Sequence, residues 1–227
     1  MRVTHWITVV CFVALLVTGA EIVVSHPRFY WGETGNSGTP VLFKIPIPSS
    51  RATVPSGYNY VMPDQNGWSR YLHFEAAWAL VLTGLLYALW GLRTGHFRSN
   101  LFPAPGDRTP NAFLKIILGH LRFKRPSASE ALTYNALQRV SYLGVIFLLF
   151  PLVILTGLAL SPGFNAAFPI VVDTFGGRQS ARTLHFFISI ALLGFLFIHV
   201  AMIILAGFRS RLRPMITGTV KLPQERV

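Results

Sequence analysis

Apolar residues gather into four long runs, at about residues 6–24, 70–92, 140–160 and 183–207. Each is long enough, as a helix, to cross the ~30 Å hydrocarbon core of a bilayer. The pattern predicts an all-α integral membrane protein, a single four-transmembrane-helix bundle over residues 1–227. Two long connections separate the runs. Residues 25–69 are rich in proline, glycine and aromatics (HPRFYWGETGNSGTP, then KIPIPSS). That composition argues against a helix but for an ordered loop, because Tyr30, Trp31, Phe43 and Tyr60 need something to pack on. Residues 93–138 contain TPNAFLKIILGHLRFKR, where Thr109 suits an N-cap and Pro110 the first helical position. This segment reads as a short basic amphipathic helix lying in the interface. Residues 210–227 form a basic tail.

Composition agrees with the pattern. The 227 residues are 52% hydrophobic and 12% charged, about half the charge of a soluble domain. The single cysteine, Cys11, lies inside the first apolar run. Internal disulfides, cysteine-ligated iron–sulfur clusters and a CxxCH haem attachment are thereby excluded. A net charge of +12 is compatible with nucleic acid or a membrane surface, and its distribution decides for the membrane. With the N-terminus in the cytoplasm, 14 of the 20 lysines and arginines fall inside. Arg28, Lys44, Arg51, Arg70, Arg178 and Arg182 remain outside. The positive-inside rule therefore predicts a multi-pass chain with both termini in the cytoplasm. The basic inner loop and tail suit anionic lipid headgroups, and no nucleic acid is expected.

The chemistry lies in the histidines. His185 and His199 interrupt the fourth apolar run 14 residues apart. On a helix that spacing brings both to within ~40° of one direction and ~21 Å apart along the axis. Polar groups at membrane depth are expensive, and two on one face mark a functional site. Depth supplies partners. His5 opens the first helix at the inner side, level with His199; His73 lies near the outer end of the second, level with His185. Facing histidines on neighbouring helices hold a b-type haem with both axial positions filled. The two pairs therefore predict two haem b groups and electron transfer rather than oxygen activation.

Two further patterns point the same way. Arg-x-x-His occurs at Arg2–His5, Arg70–His73 and Arg182–His185. Residues three apart share a helix face, so each arginine lies one turn toward water, placed to pair with a haem propionate. Thr-Gly recurs at Thr18–Gly19, Thr83–Gly84 and Thr156–Gly157. Gly19 and Gly84 return to nearly the face of His5 and His73, each at the depth of the other haem, where a missing side chain leaves room for a macrocycle. Individually, these features have plainer readings: interfacial histidines, arginine anchors and small-residue packing points. Their conjunction in depth, face and register favours haem. His26, His96 and His120 fall in connections and are expected at the surface. Glu21 lies off the His5 face and reads as an interfacial acid.

RVTHW, RYLHF and RTLH-x13-H, with HPRFYWGE after the first helix, resemble a known family. They are similar to the di-haem cytochrome b subunits of nickel–iron hydrogenases, formate dehydrogenase-N and thiosulfate reductase, a bacterial cytochrome b561-like group. By that resemblance His5, His73, His185 and His199 are the axial ligands, and quinone chemistry is expected near the inner haem. HPRFYWGE looks most like the thiosulfate-reductase branch, which implies an extracytoplasmic redox partner, often a molybdopterin oxidoreductase. The aromatic first loop is expected to be its contact surface. The resemblance implies an electron-transfer subunit rather than a catalytic chain by itself. A stand-alone superoxide:quinone oxidoreductase and a haem-free scaffold or transporter are the alternatives at this point.

Overall fold

The computed structural model describes residues 2–36, 38–47, 66–102, 136–205 and 207–219. The expected interfacial helix, most of the second connection, residues 48–65 and the end of the tail lie outside the described residues. Among the described residues four helices are long and apolar enough to span a membrane: Arg2–Ser25, Gly67–Arg93, Arg139–Leu160 and Arg178–Leu205. The all-α membrane fold expected from the apolar runs is therefore present. The elements in order are α1 (Arg2–Ser25), β1 (Arg28–Phe29), β2 (Phe43–Lys44), α2 (Asn66–Arg93) and a π-helical turn (Phe97–Leu101). Then follow α3 (Ala136–Gly144), a second π turn (Val145–Leu149), α4 (Phe150–Leu160), α5 (Pro162–Ala167), α6 (Ile170–Thr174), α7 (Arg178–Leu205) and α8 (Phe208–Thr217).

Several of these elements depart from the sequence reading. The third span is interrupted by the π turn, in which the Phe150 N–H donates to the Val145 carbonyl. Pro151 follows at once; it has no N–H for the carbonyl four residues back, and the helix widens there. The connection after α4 is not a simple loop. Ser161 precedes Pro162 at the first turn of α5, the position where proline's missing N–H costs nothing. The start of the tail is helical as well, with α8 bracketed by Gly207 (φ 98°) and Gly218 (φ 79°).

Contacts gather into two compact units, one of residues 3–89 and 151–189, the other of Arg2 with residues 90–150 and 190–227. In the first unit the buried residues of α1 are Cys11, Thr18 and Ser25, seven apart and so on one face. On α2 the buried set is Ser69, Ala76, Leu80 and Thr83, a three-four spacing that makes a seam. Small residues along such seams let helices approach closely, while large apolar ones face outward to lipid. Leu82, Leu85, Leu86 and Leu89 are accordingly exposed. Ala159, Val172 and Ala181 form a further core where α4, α6 and α7 meet.

In the second unit Phe97 is buried in its π turn, edge-on to Phe147 of the other π turn at 5.1 Å. Arg139 Nη1 donates to the Phe102 carbonyl at 2.8 Å. His96, expected at the surface, is half-buried and packs against Trp90 at 5.5 Å and Phe97 at 6.0 Å. Burial holds its imidazole below the usual histidine range.

Candidate functional site

The start of α7 is held by the stretch that follows α1. Around β1 the chain is extended, so successive carbonyls point to opposite sides. The odd ones go to the strand pairing: Pro27 O accepts from Ile45 N at 3.0 Å and Phe29 O from Leu42 N at 2.8 Å. The even ones go to α7. Arg182 donates to the carbonyls of His26 and Arg28, and Thr183 Oγ1 donates to Tyr30 O at 2.8 Å. Gly32 O accepts from Gln179 N at 2.9 Å and Ser180 N at 3.2 Å. Gly32 N in turn donates to Ser180 Oγ at 2.7 Å. The helix's first N–H groups have no partners within the helix, and this segment supplies them.

That arrangement corrects one expectation. Phe29 is not a contact surface: it is 1% exposed, stacked on Phe43 at 4.5 Å and against Phe186 at 4.6 Å. The Arg182 guanidinium lies 4.8 Å over its ring. Tyr30 is buried too, whereas Trp31 is 56% exposed.

One turn further along α7, His185 faces His73 of α2 with ring centres 6.3 Å apart and planes at 65°. A metal–nitrogen bond of about 2 Å on each side, added to the rings' own half-widths, places two imidazoles sharing one metal about 6 Å apart. The spacing therefore fits a single ion between them. Among the described residues no group of three or more His, Cys, Asp or Glu gathers. The donor set here is thus an imidazole pair, the set that fills both axial positions of a haem.

Each ring has its other nitrogen engaged. Thr18 Oγ1 lies 2.9 Å from His73 Nδ1 and Thr156 Oγ1 lies 3.0 Å from His185 Nδ1. The two threonines are 0% exposed. The glycine after each threonine lies against the same ring. A Cβ on Gly19 would sit 3.6 Å from His73 Cε1, and one on Gly157 would sit 3.3 Å from His185 Cε1. The Thr-Gly repeat and the haem-facing expectation for Gly19 are legible in the sequence, whereas the use of the threonine hydroxyls is not.

The remaining expected residues have surroundings of their own. Gly84 has open space where a Cβ would lie, and Thr83 Oγ1 donates to Ala79 O at 2.7 Å. Arg70 is exposed. Arg2, also exposed, donates to the Ile216 carbonyl at 3.4 Å. His5 is half-buried on α1 with its ring edge-on to Trp6 at 5.5 Å. His199 is half-buried on α7, stacked with Phe195 at 5.7 Å and edge-on to Tyr142 at 6.2 Å.

Comparison with known proteins agrees with this chemistry. Residues 1–218 match the family described as prokaryotic cytochrome b561. The chain is also 31% identical over 205 residues to a protein of Azospira oryzae named "Putative protein-methionine-sulfoxide reductase subunit YedZ1". That match covers 90% of this chain and 88% of the relative. Four apolar helices, a facing histidine pair and a match over nearly the whole length lead to one conclusion: the chain belongs to the prokaryotic cytochrome b561 family, haem b-binding electron-transfer proteins that cross the bacterial inner membrane several times.

Proposed function

We propose that this chain is the membrane-anchoring di-haem b subunit of an oxidoreductase complex, a single cytochrome b domain with both termini cytoplasmic. His73 and His185 ligate one haem on the extracytoplasmic side, and His5 and His199 ligate a second on the cytoplasmic side. The observation that carries this reading is the His73–His185 pair, 6.3 Å apart, with the Nδ1 of each ring engaged by a threonine. Each Nε2 is thereby left as the ligand atom. Gly19 and Gly84 leave room for the macrocycles. Arg2, Arg70 and Arg182 are the propionate partners; Arg182 serves two carbonyls already and has further donors in its fork. When bound, the haems supply one-electron carriers without an open site for oxygen.

The donor in this reading is a quinol at the cytoplasmic side, which yields two electrons and two protons on oxidation to quinone. The acceptor is an extracytoplasmic redox subunit, and the thiosulfate-reductase-like segment supports a molybdopterin-dependent one. The name of the Azospira relative supports methionine sulfoxide in proteins as the final substrate. Two electrons and two protons convert the sulfoxide to thioether and water, which balances the quinol. The chain itself carries electrons and performs no sulfoxide chemistry.

Haem content of purified variants tests the ligand assignment. His73→Ala and His185→Ala should each lose one haem, the same one, while His5→Ala and His199→Ala lose the other. A His185→Ala protein that keeps two low-spin haems overturns the reading.

A further inference from the structure

We propose that Thr18 and Thr156 are the positioning residues of the His73–His185 site, fixing the tautomer and the ring planes of both histidines from neighbouring helices. The inference rests on the ligand reading above and adds two residues to it. A threonine hydroxyl has one hydrogen and two lone pairs. Thr18 Oγ1 lies 2.7 Å from Ala14 O and Thr156 Oγ1 lies 2.8 Å from Leu152 O. A carbonyl only accepts, so these bonds use the hydrogen. Toward His73 Nδ1 and His185 Nδ1 the hydroxyl then presents a lone pair, and the imidazole must donate. With its proton on Nδ1, each ring has an unprotonated Nε2, the form that binds iron.

The hydroxyls are also held rigidly. Threonine is branched at Cβ, and its back-bond to the preceding turn restricts χ1. Each hydroxyl is further shared with a second carbonyl, Leu15 O at 3.3 Å and Val153 O at 3.1 Å. The next residue, Gly19 or Gly157, meets the same ring at Cε1. Each imidazole is thus fixed at a nitrogen by a hydrogen bond and at the adjacent carbon by a glycine-sized gap. The same Thr-Gly device serves both rings, across 55 and 29 residues of sequence. The 65° between the ring planes is set by where the two threonines stand.

An acceptor on Nδ1–H makes the opposite nitrogen a stronger donor, which favours the ferric, more positive iron. Removing it should raise the reduction potential. Thr18→Val and Thr156→Val keep the shape and remove the hydroxyl, and Thr18→Ser keeps the hydroxyl and removes the methyl. We expect both valine variants to show one of the two haem potentials shifted upward. The largest g value of that haem's low-spin resonance, which follows the angle between axial ring planes, should shift too. Thr18→Ser should return both toward wild type. If Thr18→Val costs the haem altogether, retention in Thr18→Ser still assigns the role to the hydroxyl, and loss in both overturns the proposal in favour of packing. Unchanged potentials and g values in both valine variants also overturn it. His73→Ala separates the levels: if it still binds two haems, the ligand reading itself has failed.

Discussion

The carboxylate of Glu33 accepts a hydrogen bond from the backbone N–H of Arg178 at 2.8 Å, so a loop residue 145 positions away caps the helix that carries His185 and His199. A negative group at a helix N-terminus satisfies an orphan donor and opposes the positive end of the helix dipole. Glu33→Ala should destabilise the protein by about 0.5–2 kcal/mol. Glu33→Gln, which keeps an acceptor oxygen, should cost less. Thermal unfolding in detergent checks both, with haem content expected to stay unchanged at low temperature.

Gly177 has a sharper role. Its φ is +110°, and a Cβ there would lie 2.5 Å from the backbone carbon of Gly32. The left-handed conformation alone costs a non-glycine residue about 1–3 kcal/mol, and the backbone collision adds to that. Gly177→Ala should therefore dislodge residues 26–33 from α7 and deplete the His73–His185 haem. Gly163→Ala, with nothing within 4 Å, is the control and should behave as wild type. Haem per protein in the two purified variants decides it.

The two ring-facing glycines should respond differently. At Gly157 an added Cβ comes 3.3 Å from His185, tighter than ordinary contact, whereas at Gly19 it comes 3.6 Å from His73. Gly157→Ala should push the His185 ring and shift the haem's absorption and potential. Gly19→Ala leaves its histidine in place, so haem loss there would report crowding of the macrocycle itself. Optical redox titration of both variants distinguishes the two effects.

Partner binding should depend on Trp31 and not on its buried neighbours. Trp31 is presented between residues fixed to α7 and is 56% exposed. Trp31→Ala should weaken association with the proposed extracytoplasmic subunit by about 2 kcal/mol or more, as loss of an aromatic anchor does, while haem content stays unchanged. Phe29→Ala should instead cost about 3–5 kcal/mol of stability, as for other buried aromatics. Titration of the partner against each variant, alongside unfolding curves, checks the contrast.

The proposed orientation, which puts 14 of the 20 lysines and arginines in the cytoplasm, has a direct test. A reporter fused after Val227 should read cytoplasmic. A periplasmic reading would exchange the sides assigned to the two haems and to the quinol.

Some of this was legible in the amino-acid order because the physics is local. Four apolar runs give four spans, since hydrocarbon thickness fixes the length a helix needs. His185 and His199 share a face because helical periodicity makes a 14-residue interval return to it. Even the Thr-Gly repeat could be seen, though not its use. The helical start of α8 and the short helices α5 and α6 were harder to read, because glycine and proline there mark helix ends as readily as loops. What tertiary structure alone decided is which group meets which. Thr18 reaches His73 and Thr156 reaches His185 only once the helices are side by side; no spacing along a chain encodes a hydroxyl on one helix against a nitrogen on another. The aromatic stretch after α1 read as a surface because proline, glycine and tryptophan suit one. Its alternate carbonyls found β2 on one edge and the first turns of α7 on the other, and that buried Phe29. An extended segment presents unpaired hydrogen-bonding groups on both edges, and only its neighbours in space determine whether those edges face water, a partner or the helix that holds the histidines.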